Sequence, residues 1–408
     1  MGQVFGRDVA VLRDGFATPF RIDDRTTIRG CLYSADGARL ALSQRHFGPG
    51  FRFRPGDPDT IDPATVASAP RLDGRTLYLG HYMPHYGHFL TETLSTFWIL
   101  ETWPAAAFDR VAFHPCFFGR LSGYARQCLA AFGIAPEAVV LLDAEGTGGP
   151  VRFEEVVVPE RLFRLWDSAD PLLRGVFDRI RGAALAGRAP APGRDVYLSR
   201  RRSYWRGGQR VVANEGLVEE MFRRRGFLIV NPETVAFPDQ VALYAAAPTL
   251  AGLSGSALLN CLFQRPGARL LELEHPDVYD DDLPVSTQVL CNAVAGVAGS
   301  FVPFTGRRRH GATVLHLDLA GVAAVLPAVT APPSPPAARL AAALEVAALD
   351  LLPPTRAAAR RVGRVAHRVA HRATDRATAR AAALRGLEGH VRQAAHRTAA
   401  LLTALVGA

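Results

Sequence analysis

The alternation of apolar runs and helical stretches between residues 195 and 273 constrains this chain more than any other feature. Asp195 to Ser199, Phe227 to Val230, Thr249 to Gly252 and Arg269 to Leu273 have the length and composition of short buried strands. Between them, Glu215 to Arg225 reads as a helix with Asn214 as its cap, followed by helices from Asp239 to Ala246 and from Ala257 to Phe263. Strands separated by helices cannot pair as hairpins, so each connection has to cross over. The spacing therefore predicts a parallel sheet of the nucleotide-binding type, with ligands beyond the carboxyl ends of its strands.

A second α/β unit precedes it. Leu77 to Gly80, Arg110 to His114, Val139 to Leu142 and Glu155 to Val158 read as strands, with helices from His88 to Thr102, Leu121 to Phe132 and Leu172 to Ala186. Residues 1–75 give only irregular strands and loops, and 274–330 give one strand, Ala312 to Leu319. The Pro/Gly-rich stretch Gly187 to Gly193 and the run Pro327 to Pro336 read as linkers. The expected division is an N-terminal α/β domain over 1–186, a Rossmann-like domain over 194–326 and a basic helical tail over 337–408.

Charge marks the tail. The chain has no lysine, which excludes a Walker phosphate loop and Schiff-base chemistry. Eleven arginines between Arg356 and Arg397, against Asp375 and Glu388, account for the net charge of +9. Seven of them, Arg356 to Arg380, recur every fourth residue and spiral slowly round a helix. Such a segment is a solvated helix or a surface for anionic lipid; nucleic acid is not expected, because no aromatic residues are interleaved. No signal peptide and no run of about eighteen apolar residues is visible, and the five cysteines form no Cys-x-x-Cys pair. The expectation is a cytoplasmic protein with reduced thiols, peripheral at the inner face of the membrane if the tail binds lipid.

Three motifs carry chemistry. His81 to Trp98 packs His81, His85, His88 and Glu92 around Pro84 and Gly87, just before a helical apolar pattern. His88 and Glu92 stand four residues apart, so one helix face would display both, as an acid/base pair. Pro84 and Gly87 keep the three histidines off a common helix, so no metal site is expected. Arg200, beside Arg201, Arg202, Arg206 and Arg210, follows a strand end where a phosphate would be met. Gly252 to Asn260 is a small-residue turn whose backbone N–H groups suit an anion. Ser254 is no nucleophile elbow, since Ser256 stands where a glycine would be required, and no Gly-x-Gly-x-x-Gly follows any strand.

Gly87-His88-Phe89 with Glu92, Leu198-Ser199-Arg200, Asn214-Glu215, Phe237 with Asp239-Gln240, Ala245 to Ala247, and Gly252 through Gly255-Ser256-Ala257-Leu258 to Asn260 together resemble glycosyltransferase family 61, the capsular polysaccharide biosynthesis type. The ordered set spans residues 78–275. The resemblance implies a bacterial enzyme of GT-B architecture, two Rossmann-like domains facing across a cleft, with inverting transfer of a hexosyl or pentosyl group from a nucleotide sugar to a glycan acceptor. It implies no obligatory metal or other cofactor beyond the co-substrate, most simply a UDP-sugar. His88 or Glu92 would be the base, and Arg200, Glu215, Gly252, Gly255, Ser256 and Asn260 would hold the donor. Ser254 departs from the histidine often found in that turn. The other class of function is a non-catalytic binding or scaffold protein of the same fold, acting at a membrane surface through its tail.

Overall fold

The computed structural model describes residues 6–326 apart from 25, 46–53, 117–119, 143–146, 148, 190–192, 202–210, 213, 274–285, 303–313 and 316. The tail, the proline-rich run before it and Arg202, Arg206 and Arg210 lie outside the described residues.

Two large sheets, with three small ones of two or three strands, make a mixed α/β structure among the described residues. In the first, Arg71–Tyr82 lies between Val151–Pro159 and Arg110–Pro115, parallel to both, and Val139–Leu141 extends it. Val9–Arg13, Phe16–Ala17 and Leu32–Tyr33 add antiparallel strands on the other side, so the irregular N-terminal region completes this sheet. Leu77, Leu79 and their neighbours are buried on both faces, the pattern of a strand enclosed in an α/β sheet.

The second sheet is wholly parallel, in the order Leu228–Val230, Val196–Leu198, Thr249–Leu253, Arg269–Leu273, Ala298–Val302. The chain winds outward one way from Val196–Leu198 to Leu228–Val230, then returns to its other side at Thr249–Leu253. The crevice where the winding reverses therefore opens between Leu198 and Leu253, the position at which doubly wound sheets bind ligands. The edge strand Ala298–Val302 and the helix Thr287–Ala295 before it were not expected from sequence; the strand is mostly exposed and begins Ala-Gly-Ser, without an apolar run.

Glu215–Arg224 is helical, but the side chain of Asn214 does not cap it. Its amide instead exchanges hydrogen bonds with Leu317, donating to the carbonyl at 2.7 Å and accepting from the N–H at 2.8 Å. A buried amide satisfied in both senses by one residue has no reason to turn back to its own helix.

The largest apolar cluster runs through both sheets, from Leu77 and Phe113 to Leu258 and Leu270. Edge-to-face rings carry it across: Phe89 on Tyr124 at 5.1 Å, Tyr124 on Tyr86 at 5.2 Å, and Phe237 on Phe263 at 5.8 Å. All five cysteines are buried and unpaired. No helix of the described residues is long and apolar enough to cross a membrane.

Candidate active site

The strand Arg71–Tyr82 delivers the chain into Pro84 and a continuous helical stretch. That stretch begins as α over Tyr86–His88, widens to π over Phe89–Thr93, and tightens to 3-10 over Leu94–Glu101. The wide turn closes with the Leu94 N–H donating to the Phe89 carbonyl, and it contains Glu92. Single π turns recur at functional sites because they re-aim a side chain without ending the helix. Threonines bind this stretch to the strand behind it. Thr93 Oγ1 donates to the His81 carbonyl at 3.1 Å and accepts from the Met83 N–H at 2.9 Å, while Thr96 Oγ1 donates to the Leu79 carbonyl at 2.9 Å.

Glu92 is only 3% exposed. Both its oxygens are taken by Arg45, whose Nε and a terminal nitrogen donate at 2.7 and 2.9 Å. Burial alone would push the Glu92 carboxyl up, but Arg45 and the His88 hydrogen bond outweigh it and hold it at about 2. An ionised carboxylate only accepts, so the 2.5 Å contact with His88 Nδ1 makes that nitrogen the donor. In the neutral imidazole that leaves Nε2 as the nitrogen able to accept a proton, and the His88 side chain is 31% exposed at the pocket. Arg45 was not singled out in the sequence.

The other two histidines of the motif part company. His85 is exposed, with its ring 5.2 Å from that of His88. His81 is fully buried, accepts from Arg161 at Nδ1 over 3.3 Å and lies against His114. Gly80, at φ +81°, lets the Arg161 guanidinium pass where a Cβ would stand 2.7 Å from it.

The residues expected to hold a donor fall into two sets. Ser256, Gly255 and Ser254 line a pocket with His88 and Thr91, so the glycine turn and the histidine face the same space. The approach is tight: a Cβ on Gly87 would stand 2.6 Å from Ser256 Oγ. Arg200 crosses the switch-point crevice, donating from its guanidinium to the Ser254 carbonyl at 3.1 Å. Gly255, at φ +139°, adopts a conformation closed to other residues and leaves room for that guanidinium.

The second set lies beneath. Glu215 is fully buried and accepts from the Arg200 N–H at 2.9 Å and from Tyr197 Oη at 3.3 Å, so it positions the arginine. Gly252 sits within its strand, where a Cβ would stand 3.0 Å from the Leu198 carbonyl. Asn260 is buried and accepts from Tyr86 Oη at 2.6 Å, tying the glycine-turn region to the histidine helix.

Among the pocket residues that carried no sequence signal are Trp166 and Glu272. Trp166 stands in the turn of the hairpin joining Phe163–Arg164 to Ser168–Ala169 at φ +58°, a left-handed conformation costing about 1–2 kcal/mol outside glycine. Glu272 lies near the carboxyl end of Arg269–Leu273 and is buried.

No curated protein matches the chain. The family model described as Glycosyltransferase 61 matches residues 86–271, a span that opens at Tyr86, takes in the histidine helix, Arg200 and the glycine turn, and closes in the strand Arg269–Leu273. That match identifies residues 86–271 as similar to the glycosyltransferase 61 family.

Proposed function

We propose that the chain transfers a sugar from a nucleotide-sugar donor, a UDP-sugar, to a hydroxyl of a glycan acceptor, with inversion, in a GT-B arrangement. One observation carries the reading. The Arg45–Glu92–His88 chain ends in an imidazole that shares its pocket with the turn at the switch point of the second sheet.

In this reading the donor diphosphate lies over Arg200 and the N–H groups of the Ser254 to Ser256 turn. The acceptor hydroxyl gives its proton to His88 Nε2 as its oxygen forms the new bond to the anomeric carbon. The bond from that carbon to the phosphate oxygen breaks, and the electron pair leaves with the nucleoside diphosphate. Arg200 and the backbone dipoles meet the charge that develops there. The imidazolium formed on His88 is met by Glu92, which Arg45 keeps ionised and oriented. One displacement from the face opposite the leaving group inverts the anomeric centre. The five unpaired thiols support a reducing compartment such as the cytoplasm.

The test is a screen of UDP- and GDP-sugars for nucleoside diphosphate release in the presence of glycan acceptors. His88→Ala lowers turnover by roughly 10²- to 10⁴-fold while UDP still raises the melting temperature; Arg200→Ala abolishes that rise. Full turnover in His88→Ala would remove the base from this scheme. Nucleotide binding without transfer from any donor would favour the non-catalytic binding protein.

A further inference from the structure

The pocket beside His88 is small. Its inner part offers about 150 Å³, on the order of ten waters at roughly 10–15 Å³ each. That is room for one sugar ring. It touches the Ser254 to Ser256 turn and His88 together. On the transfer proposed above, the atom attacked must lie between the leaving phosphate and the hydroxyl that His88 deprotonates, so the ring in this pocket is the one being moved.

We infer that this chamber is the subsite for the transferred sugar, with Trp166 and Leu165 as its stacking wall and the Glu272 carboxylate as the reader of its hydroxyls. The inference rests on the transferase reading and deepens it. Among the described residues that line the pocket, Glu272 is the one carboxylate and Trp166 the one aromatic ring outside the histidines. The two come from different parts of the chain. Glu272 is buried in the strand next to the glycine turn, paired in register with Gly252. Trp166 is presented by a hairpin from the first half, where its indole packs partly against the apolar core and keeps a left-handed backbone. Strain of this kind persists where the surroundings hold a side chain in one place. A flat apolar ring and a buried acceptor of hydrogen bonds in one pocket suit a sugar, whose ring face is made of C–H groups and whose rim is hydroxyl.

The pocket discriminates donors by their sugar, whereas the Arg200 side of the crevice holds what donors share. Calorimetric titration of the full chain with UDP, UDP-glucose, UDP-N-acetylglucosamine, UDP-xylose, GDP and GDP-mannose tests this. For the donor that binds, Glu272→Gln and Trp166→Ala each weaken the sugar nucleotide about tenfold, the equivalent of one or two lost contacts, and leave the bare diphosphate within about twofold. Trp166→Phe keeps most of the affinity, and unchanged circular dichroism shows that the variants are folded. Equal weakening of sugar nucleotide and bare diphosphate, or of neither, overturns the subsite alone. Failure of wild-type protein to bind any of the six overturns the transferase reading and the subsite with it.

Discussion

Replacing Arg45 by methionine removes the cation that, among the described residues, bonds both oxygens of Glu92, and leaves a carboxylate in a site 3% exposed. The wild-type group sits at about 2 where 4.5 is ordinary, which corresponds to about 3 kcal/mol of stability at neutral pH. Because the folded value lies below the unfolded one, that contribution is complete above about pH 4.5 and is lost as the pH falls towards 2. Taking away one partner of a buried pair costs about 3–5 kcal/mol, since the survivor keeps its desolvation penalty. Urea denaturation at pH 7 should show a loss of that size in Arg45→Met. Adding Glu92→Gln should recover at least about half of it, because a neutral amide has no charge to strand and its oxygen still accepts from His88 Nδ1. Turnover should stay at least about tenfold below wild type in both, since neither meets an imidazolium with an anchored carboxylate. A single variant within about 1 kcal/mol of wild type, or a double variant no more stable than the single, would refute the reasoning.

Gly87→Ala should weaken donor binding and lower the melting temperature, because its Cβ would press on Ser256 Oγ; Ser256→Gly in the same chain should restore both, and additive losses would contradict the contact. Burial lowers His114 to about 4, with Nε2 donating to the Thr18 carbonyl and Nδ1 accepting from Tyr78 Oη. Folded His114 thus resists a proton that the unfolded chain takes up below about 6.5, so stability should fall between about pH 6.5 and 4. His114→Gln should flatten that part of the urea-derived pH profile, and an unchanged slope would show that other groups control it.

What could be read from the sequence follows from what carries periodic signal. The strands Arg110–Pro115, Thr249–Leu253 and Arg269–Leu273 announce themselves because each is an apolar run bounded by loop residues. Arg45 does not, since it lies in a stretch without periodicity, 47 positions before the carboxylate it binds. The π turn leaves the apolar spacing of Phe89, Leu90 and Leu94 intact, so a pattern search sees an ordinary helix. His88 and the glycine turn were each legible as motifs, yet their meeting depends on the packing of Gly87 against Ser256. Trp166 and Glu272 looked like any half-buried aromatic and any strand acid until the hairpin and the second sheet brought them to one pocket.

The helix Leu173–Leu185 has a practical consequence for anyone wishing to exchange donor preference by recombining chains. It precedes the Pro/Gly stretch that looks like the natural crossover point, yet Arg174 donates to the carbonyls of Ala295 and Gln264 at 2.5 and 3.0 Å, and Arg181 to Gln264 at 3.2 Å. Phe177 meets Phe263 at 5.8 Å. A hybrid joined at residues 187–193 would present a foreign helix to those two carbonyls. One joined before Leu173 would carry the helix with the partners it grew up against, and that is the junction to build.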